Sequence, residues 1–164
     1  MDEGFNFSSR KLTVSTSGLV PEILRLGACS DTSLAVSLNA PNDALRDQLM
    51  PINRRYPLEQ LMAACKAFPL KDRQRITFEY ILLSKVNDSL QAAEKLARYC
   101  RPFPVKINII EYNETEGGIY HRSYPNQREE FIQYLKDRNM VVNVRQSKGQ
   151  DIAAACGQLV KGKQ

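Results

Sequence analysis

The residue of this chain with the clearest potential for covalent chemistry is Cys156, close to the end of the sequence. It lies between Ala155 and Gly157, so few side-chain atoms crowd its thiol. Lys148 and a predicted helix start at Asp151 would favour the thiolate, which is the nucleophilic form of cysteine. The spacing alone leaves a second interpretation open, because a buried and unreactive cysteine at a helix end has the same sequence context.

Small polar residues form a second group with chemical potential, because each follows a predicted apolar strand. They are Ser15 to Ser17, Ser37 to Asn39, and Asn113. Hydroxyl and amide groups at such positions can bind the hydroxyl, amino and carboxylate groups of an adenosyl ligand. The alternative is that these Ser and Asn residues only form turns after the strands.

Two hydrophobic periodicities alternate along the chain and predict the elements that position these residues. Segments rich in Val, Ile, Thr and Tyr are predicted strands, and patterns with a helical repeat separate them. This alternation predicts an α/β fold of βαβ units, with a parallel sheet and right-handed crossovers. The predicted strands are Leu12 to Ser15, Leu34 to Leu38, Ile76 to Leu83, Val105 to Ile110 and Val141 to Val144.

The helical patterns also predict where three of the four cysteines lie. Cys65 and Cys100 fall on the apolar faces of two predicted helices, so their thiols are expected to pack in the core. A third helix is predicted after Pro125. Cys29 is expected in a turn, beside Ser30.

Length and composition predict one domain, residues 1–164, with an anionic partner. A chain of 164 residues with 43% hydrophobic content can bury one core, and its net charge of +5 suits an anionic ligand without identifying it. Four scattered cysteines and one histidine predict no metal site. The sequence has no apolar run of membrane length, so a cytoplasmic location with reduced thiols is the expectation.

Six ordered blocks carry a resemblance to a known family: Leu12 to Gly18, Leu34 to Asp43, Pro51 to Tyr56, Ile76 to Asp88, Lys106 to Asn113 and Asp151 to Leu159. They resemble the dual-specificity radical S-adenosylmethionine methyltransferases, which methylate an adenine of large-subunit ribosomal RNA and a tRNA adenine. The family's CxxxCxxC motif for a 4Fe–4S cluster belongs upstream of Leu12. We therefore expect this chain to correspond to the C-terminal half of such an enzyme.

The resemblance implies a partial parallel (β/α) barrel, of which this chain supplies the last four βα units and a C-terminal strand–loop–helix tail. It assigns contacts with S-adenosylmethionine to Ser15, to the Ser37–Leu38–Asn39 triplet and to Asn113. The triplet usually ends in His in the family. Asn39 is shorter and cannot titrate, so its contact is expected to be weaker or to use the backbone.

The resemblance makes Cys156 the methyl-carrying cysteine. It implies that one S-adenosylmethionine methylates this thiolate, and that a second is cleaved at the cluster to a radical that abstracts hydrogen from the S-methyl group. The methylene carbon then attacks the adenine of rRNA, with tRNA as a further substrate in the family. Two other interpretations stay open: a non-catalytic adenosyl- or RNA-binding α/β remnant, and a degenerate reading frame without activity.

Basic and aromatic residues supply candidate RNA contacts, each with an ordinary alternative. Basic segments around residues 54–55, 73–75 and 145–148 suit RNA phosphates, or they form a solvated surface. Tyr112, Tyr120 and Tyr124 suit base stacking, or they pack within their own loop. His121 is expected in the same exposed loop, without a carboxylate partner or a catalytic role.

Replacing Cys156 with Ala is predicted to abolish RNA methylation in a polypeptide that joins this chain to the family's CxxxCxxC segment. No other side chain here is expected to accept and later release the methyl group. The same change at the predicted core residue Cys65 should cost about 1 kcal/mol of stability and leave activity measurable. Peptide mass spectrometry should find an added methyl group at Cys156 alone. Substantial product from a well-folded Cys156→Ala variant would contradict the assignment.

Overall fold

Five parallel strands form one sheet, in which every strand lies beside its neighbour in the sequence. A computed structural model describes residues 12–145 of the chain. The sheet therefore has the order 1-2-3-4-5. The strands are β1 (Thr13–Thr16), β2 (Ser33–Ser37), β3 (Ile76–Leu82), β4 (Val105–Glu111) and β5 (Val141–Arg145).

The helices cover one face of this sheet. Each crossover between neighbouring parallel strands is expected to be right-handed, and crossovers that all step in the same direction place every helix on the same side. A sheet of this kind curves towards a barrel, with its helices outside. The helices are α1 (Val20–Cys29), α2 (Asp43–Leu49), α3 (Leu58–Ala67), α4 (Leu90–Cys100) and α5 (Pro125–Lys136), with a 3₁₀ turn at Pro51–Arg54.

The hydrophobic core lies between the sheet and the helices. Alternate strand residues, such as Val36, Phe78 and Ile107, point into it and meet buried helix residues such as Leu61 and Leu96. The remaining alternate residues form the opposite face of the sheet, which we call the inner face. The side chains of the inner face lie outside the core cluster of the described residues. The inner-face residues are Thr13, Ser15, Ser33, Ala35, Ser37, Thr77, Glu79, Ile81, Lys106, Asn108, Ile110, Val141, Asn143 and Arg145.

The predicted parallel α/β fold is confirmed, and each predicted strand agrees with an observed one within two residues at either end. Two helices, α1 and α2, had no counterpart in the sequence prediction. Helix α2 has only seven residues and depends on a cap in which the backbone N–H of Leu45 donates to Oδ1 of Asn42 over 2.9 Å. The expectation that Cys29 lies in a turn was wrong, because it is the last residue of α1.

Arg46, which is completely buried, ties the carboxyl ends of β1 and β2 together. Its guanidinium donates to the carbonyl oxygens of Ser17 (2.7 Å), Ser37 (3.0 Å) and Leu38 (3.1 Å). Carbonyl groups at a strand end have left the sheet ladder and need other donors when they are buried. Gly18 lets the guanidinium approach, because its φ of +114° suits glycine and an added Cβ would lie 3.0 Å from Nη2 of Arg46.

A second layer of polar residues holds the Arg46 side chain in place. Nη1 of Arg46 donates to Oδ1 of Asn53 over 3.0 Å, and the Asn53 amide donates to Asp43 (2.9 Å) and Asp47 (2.7 Å). Asp43 also accepts from the backbone N–H of Leu58 over 2.8 Å, at the start of α3. One network therefore joins two strand ends to α2 and α3.

Replacing Arg46 with Met is predicted to destabilise the fold by about 3 kcal/mol or more. The change leaves three carbonyl oxygens and the Asn53 amide oxygen without this donor in a buried region. Urea unfolding followed by circular dichroism would measure the loss. Arg98→Met is the matched control, because Arg98 is exposed and pairs with Glu94 at 3.5 Å across one helical turn, a pair worth about 0.5 kcal/mol at most. Equal losses in the two variants would contradict the role of Arg46.

Candidate functional site

The inner face carries two of the predicted ligand-binding residues near the carboxyl ends of neighbouring strands. Ser15 pairs in register with Ala35 on β2, and Ser37 pairs with Glu79 on β3. Neither serine hydroxyl has a hydrogen-bond partner among the described residues. Ligands of parallel α/β proteins bind at this edge, where the strands open into loops. The two hydroxyls are therefore free to bind a ligand there.

Asn113 lies at the same edge, two residues beyond the end of β4. Its Oδ1 atom is buried and has no hydrogen-bond partner in the part of the chain that the structure describes. A buried amide oxygen without a donor costs about 1–3 kcal/mol, so such atoms are rare in folded proteins. This atom is a strong candidate for an acceptor that a ligand satisfies.

The remaining two residues of the predicted triplet have structural roles. Leu38 is buried in the core, its backbone N–H donates to the carbonyl of Glu79 (2.9 Å), and its own carbonyl accepts from Arg46. Asn39 has a left-handed backbone, with a φ of +59°. Its Oδ1 accepts from the N–H of Ile81 over 3.0 Å, and its Nδ2 lies 3.5 Å from the sulfur of Met50. Both side chains are thus engaged within the protein.

The structure adds polar inner-face residues that the sequence analysis did not select. Glu79, next to Ser37 in register, forms an ion pair with Arg145 over 3.6 Å, across the intervening strand β4. The amide of Asn143 donates to the amide oxygen of Asn108 over 3.4 Å. The alternation of polar residues with core residues in β3 and β4 was the available signal. A ligand at this edge would border on a polar surface.

The described cysteines do not fit an iron–sulfur cluster. Cys65 and Cys100 are buried in the helix layer, and Cys29 is exposed. Burial raises the pKa of Cys65 to about 12, with Arg46 acting in the opposite direction, and burial raises the pKa of Cys100 to about 12. Within residues 12–145, no three His, Cys, Asp or Glu side chains converge as a metal site. Cys156 lies outside the described residues.

A cavity of about 710 Å³ lies at the opposite, amino-terminal end of the strands. It is lined by the first inner-face residue of each strand and by the loop of residues 71–75. Lys71 in this loop pairs with Asp31 at 2.5 Å. The cavity contains none of the predicted site residues, and ligands of parallel sheets bind at the other edge. We therefore place the candidate site at the carboxyl ends of the strands.

Known proteins share this arrangement along almost the whole chain. A dual-specificity RNA methyltransferase RlmN from Geotalea uraniireducens is 52% identical over 96% of this chain, and an RlmN from an Anaeromyxobacter species is 54% identical over the same share. The chain belongs to the RlmN family along the length that it spans. That length is 46% and 42% of these two relatives. No family model matches the chain.

Two solved structures share the fold of this chain. A radical SAM methyltransferase from Sphaerobacter thermophilus superposes with a TM-score of 0.89 and 47% identity, over 96% of this chain and 47% of that protein. A domain of a pyruvate-formate lyase-activating enzyme from Bacteroides vulgatus shares the fold at 14% identity, with a TM-score of 0.65. The predicted family and partial-barrel fold are thus confirmed. Within residues 12–145, no helix is long and apolar enough to cross a membrane.

The burial of Cys65 and Cys100 predicts that neither thiol reacts with iodoacetamide in the folded chain at pH 8. With a pKa of about 12, each thiol stays protonated at this pH, and the helix layer also shields it. Cys29 is exposed and should be alkylated at once. Peptide mass spectrometry of chain labelled with and without urea would separate the three sites. Rapid labelling of Cys100 without denaturant would contradict the described packing.

Proposed function

We propose that this chain forms the adenosyl-binding and methyl-carrying part of a radical S-adenosylmethionine RNA methyltransferase. The observation that carries the proposal is the identity of about half of all residues, along 96% of the chain, with proteins named as dual-specificity RNA methyltransferases. The open polar edge of the sheet supports it, because a ligand-binding edge is what such an enzyme requires here.

S-adenosylmethionine fits the polar groups at the carboxyl ends of the strands. The unpartnered Oδ1 of Asn113 would accept a hydrogen bond from an N–H or O–H group of the ligand. The hydroxyls of Ser15 and Ser37 would bind its polar groups on the inner face, and Leu38 and Asn39 would contribute backbone atoms while they hold the loop. When bound, this cofactor supplies a methyl group and, after reductive cleavage, a radical.

Cys156 is the residue that we propose to hold the transferred methyl group, on its sulfur atom. The proposal rests on the position of this residue in the DIAAACGQL block of the sequence. The 4Fe–4S cluster of the family does not fit the described residues, so we derive no step from it. We propose that this chain alone does not catalyse RNA methylation, because the ligands of that cluster must come from residues other than those described.

The proposed substrate is an adenine of large-subunit rRNA, with a tRNA adenine as the second substrate. The two RlmN relatives are named as dual-specificity RNA methyltransferases, which suits two RNA substrates. The net charge of +5 favours an anionic partner.

Replacing Asn113 with Ala is predicted to weaken the binding of S-adenosylmethionine by about five- to tenfold, the effect of one lost hydrogen bond. The same change removes a buried, unpartnered oxygen, so the stability of the ligand-free chain should stay constant or rise by up to about 1 kcal/mol. Calorimetric titration and urea unfolding would measure the two effects. Opposite signs for affinity and stability distinguish a ligand contact from a structural residue.

The matched control for this experiment is Asn143→Ala. Asn143 lies on the same inner face, but its amide has a partner in Asn108. This variant should bind S-adenosylmethionine as the parent chain does. Equal affinity of the parent chain and the Asn113→Ala variant would remove Asn113 from the site, and no binding by the parent chain at millimolar ligand would remove the site itself.

A further inference from the structure

The loop between β4 and α5, residues 112–124, is held in a fixed shape at the ligand-binding edge. The rings of Tyr112 and Tyr120 pack edge to face with centroids 6.4 Å apart. The backbone N–H of Arg122 donates to Glu114 over 2.8 Å, and its Nε donates to the carbonyl of Tyr112 over 3.2 Å. The tyrosine pair and the arginine thus close the loop on itself.

The same loop is also attached to the loop that follows β3. Leu83 and Arg122 form an antiparallel bridge, and the N–H of Ser84 donates to the carbonyl of His121 over 2.9 Å. His121 lies 3.7 Å from Glu114, so the expectation that it lacks a carboxylate neighbour was wrong. Two structured loops therefore form one continuous surface, beside Asn113.

Two large apolar side chains of this loop point into solvent. Ile119 is 81% exposed and Tyr124 is 66% exposed. Tyr124 is the residue immediately before α5, so the start of a helix holds its backbone in place. Of the three tyrosines that suited base stacking in the sequence, Tyr112 and Tyr120 pack against each other and are half-buried, whereas Tyr124 is exposed. An aromatic ring that is exposed on a fixed loop is available to stack on a partner.

We propose that the exposed ring of Tyr124 stacks on an unpaired base of the RNA substrate. This inference rests on the proposed function, because it requires an RNA that delivers an adenine to the adjoining edge. An aromatic ring stacks on any base that is free of its helix, whereas a base within a duplex is covered on both faces. The surface therefore recognises single-stranded or looped RNA.

The charges around the loop favour RNA over a purely apolar partner. Lys85, in the neighbouring loop, is exposed, and its backbone is fixed by an N–H bond to Asp88 over 2.9 Å. The guanidinium of Arg122, held by the bond from its Nε to the carbonyl of Tyr112, adds a second cation to the same surface. Exposed aromatic rings and cations on one surface are the usual combination for binding single-stranded nucleic acid.

A Tyr124→Trp variant tests the inference directly, because the natural chain contains no Trp. The new indole would be the single tryptophan of the chain, and stacking on a base should quench its fluorescence. Titration with a single-stranded oligoadenylate should give saturable quenching, and titration with a fully paired RNA duplex of equal length should give none. Leu24→Trp, on the exposed surface of α1, is the control and should stay unquenched by both RNAs.

A second pair of variants separates stacking from simple hydrophobic contact. Tyr124→Phe keeps a ring and should bind the oligoadenylate as the parent chain does, whereas Tyr124→Leu should bind about tenfold more weakly. Equal binding of all three chains, or equal quenching by duplex and single strand, would overturn the proposal. The outcome is independent of the Asn113 titration. Loss of quenching with intact cofactor binding would reject this surface alone, and the reverse result would reject the cofactor site alone.

Discussion

The buried guanidinium of Arg46 determines the geometry of the carboxyl-terminal edge of the sheet, where the candidate site lies. Parallel strands end in carbonyl groups that no further strand can pair, and the planar fork of arginine donates to three of them at once. Burial lowers the pKa of Arg46, whereas Asp43 and Asp47 act in the opposite direction. The charge of Arg46 is therefore compensated within the same network that positions α2 and α3. The loops that carry Ser17 and Leu38 are both anchored to this side chain.

Much of the fold could be predicted from local patterns. Apolar strands rich in β-branched residues and the amphipathic helices α3, α4 and α5 have strong periodicity, so their positions followed from the sequence. Helix α2 did not, because its seven residues carry few periodic positions. Helix α1 has ten residues, as α3 does, and its pattern was not recognised in the sequence. The last residues of α1, with Cys29 among them, lie next to Ser30 and Asp31, whose turn propensity concealed the helix end.

The positions of the candidate site residues could be predicted only where they depend on single strands. Ser15, Ser37 and Asn113 follow or end apolar segments, so their edge could be inferred once a parallel sheet was assumed. The burial of the Asn113 oxygen, and the engagement of Asn39 with Ile81, depend on packing between distant parts of the chain. Prediction of the Glu79–Arg145 ion pair requires the order of three strands in the sheet, which no local sequence pattern encodes.

The separation of the sheet into a core face and an inner face has a consequence for sequence divergence. In β3, Ile76, Phe78 and Tyr80 are fully buried in the core, so selection for folding acts on every second residue of the strand. Thr77 and Glu79, between them, lie outside the core cluster, so they are constrained by contacts on the inner face rather than by core packing. Substitutions at one set of alternate positions can thus alter the inner face while the other set preserves the scaffold.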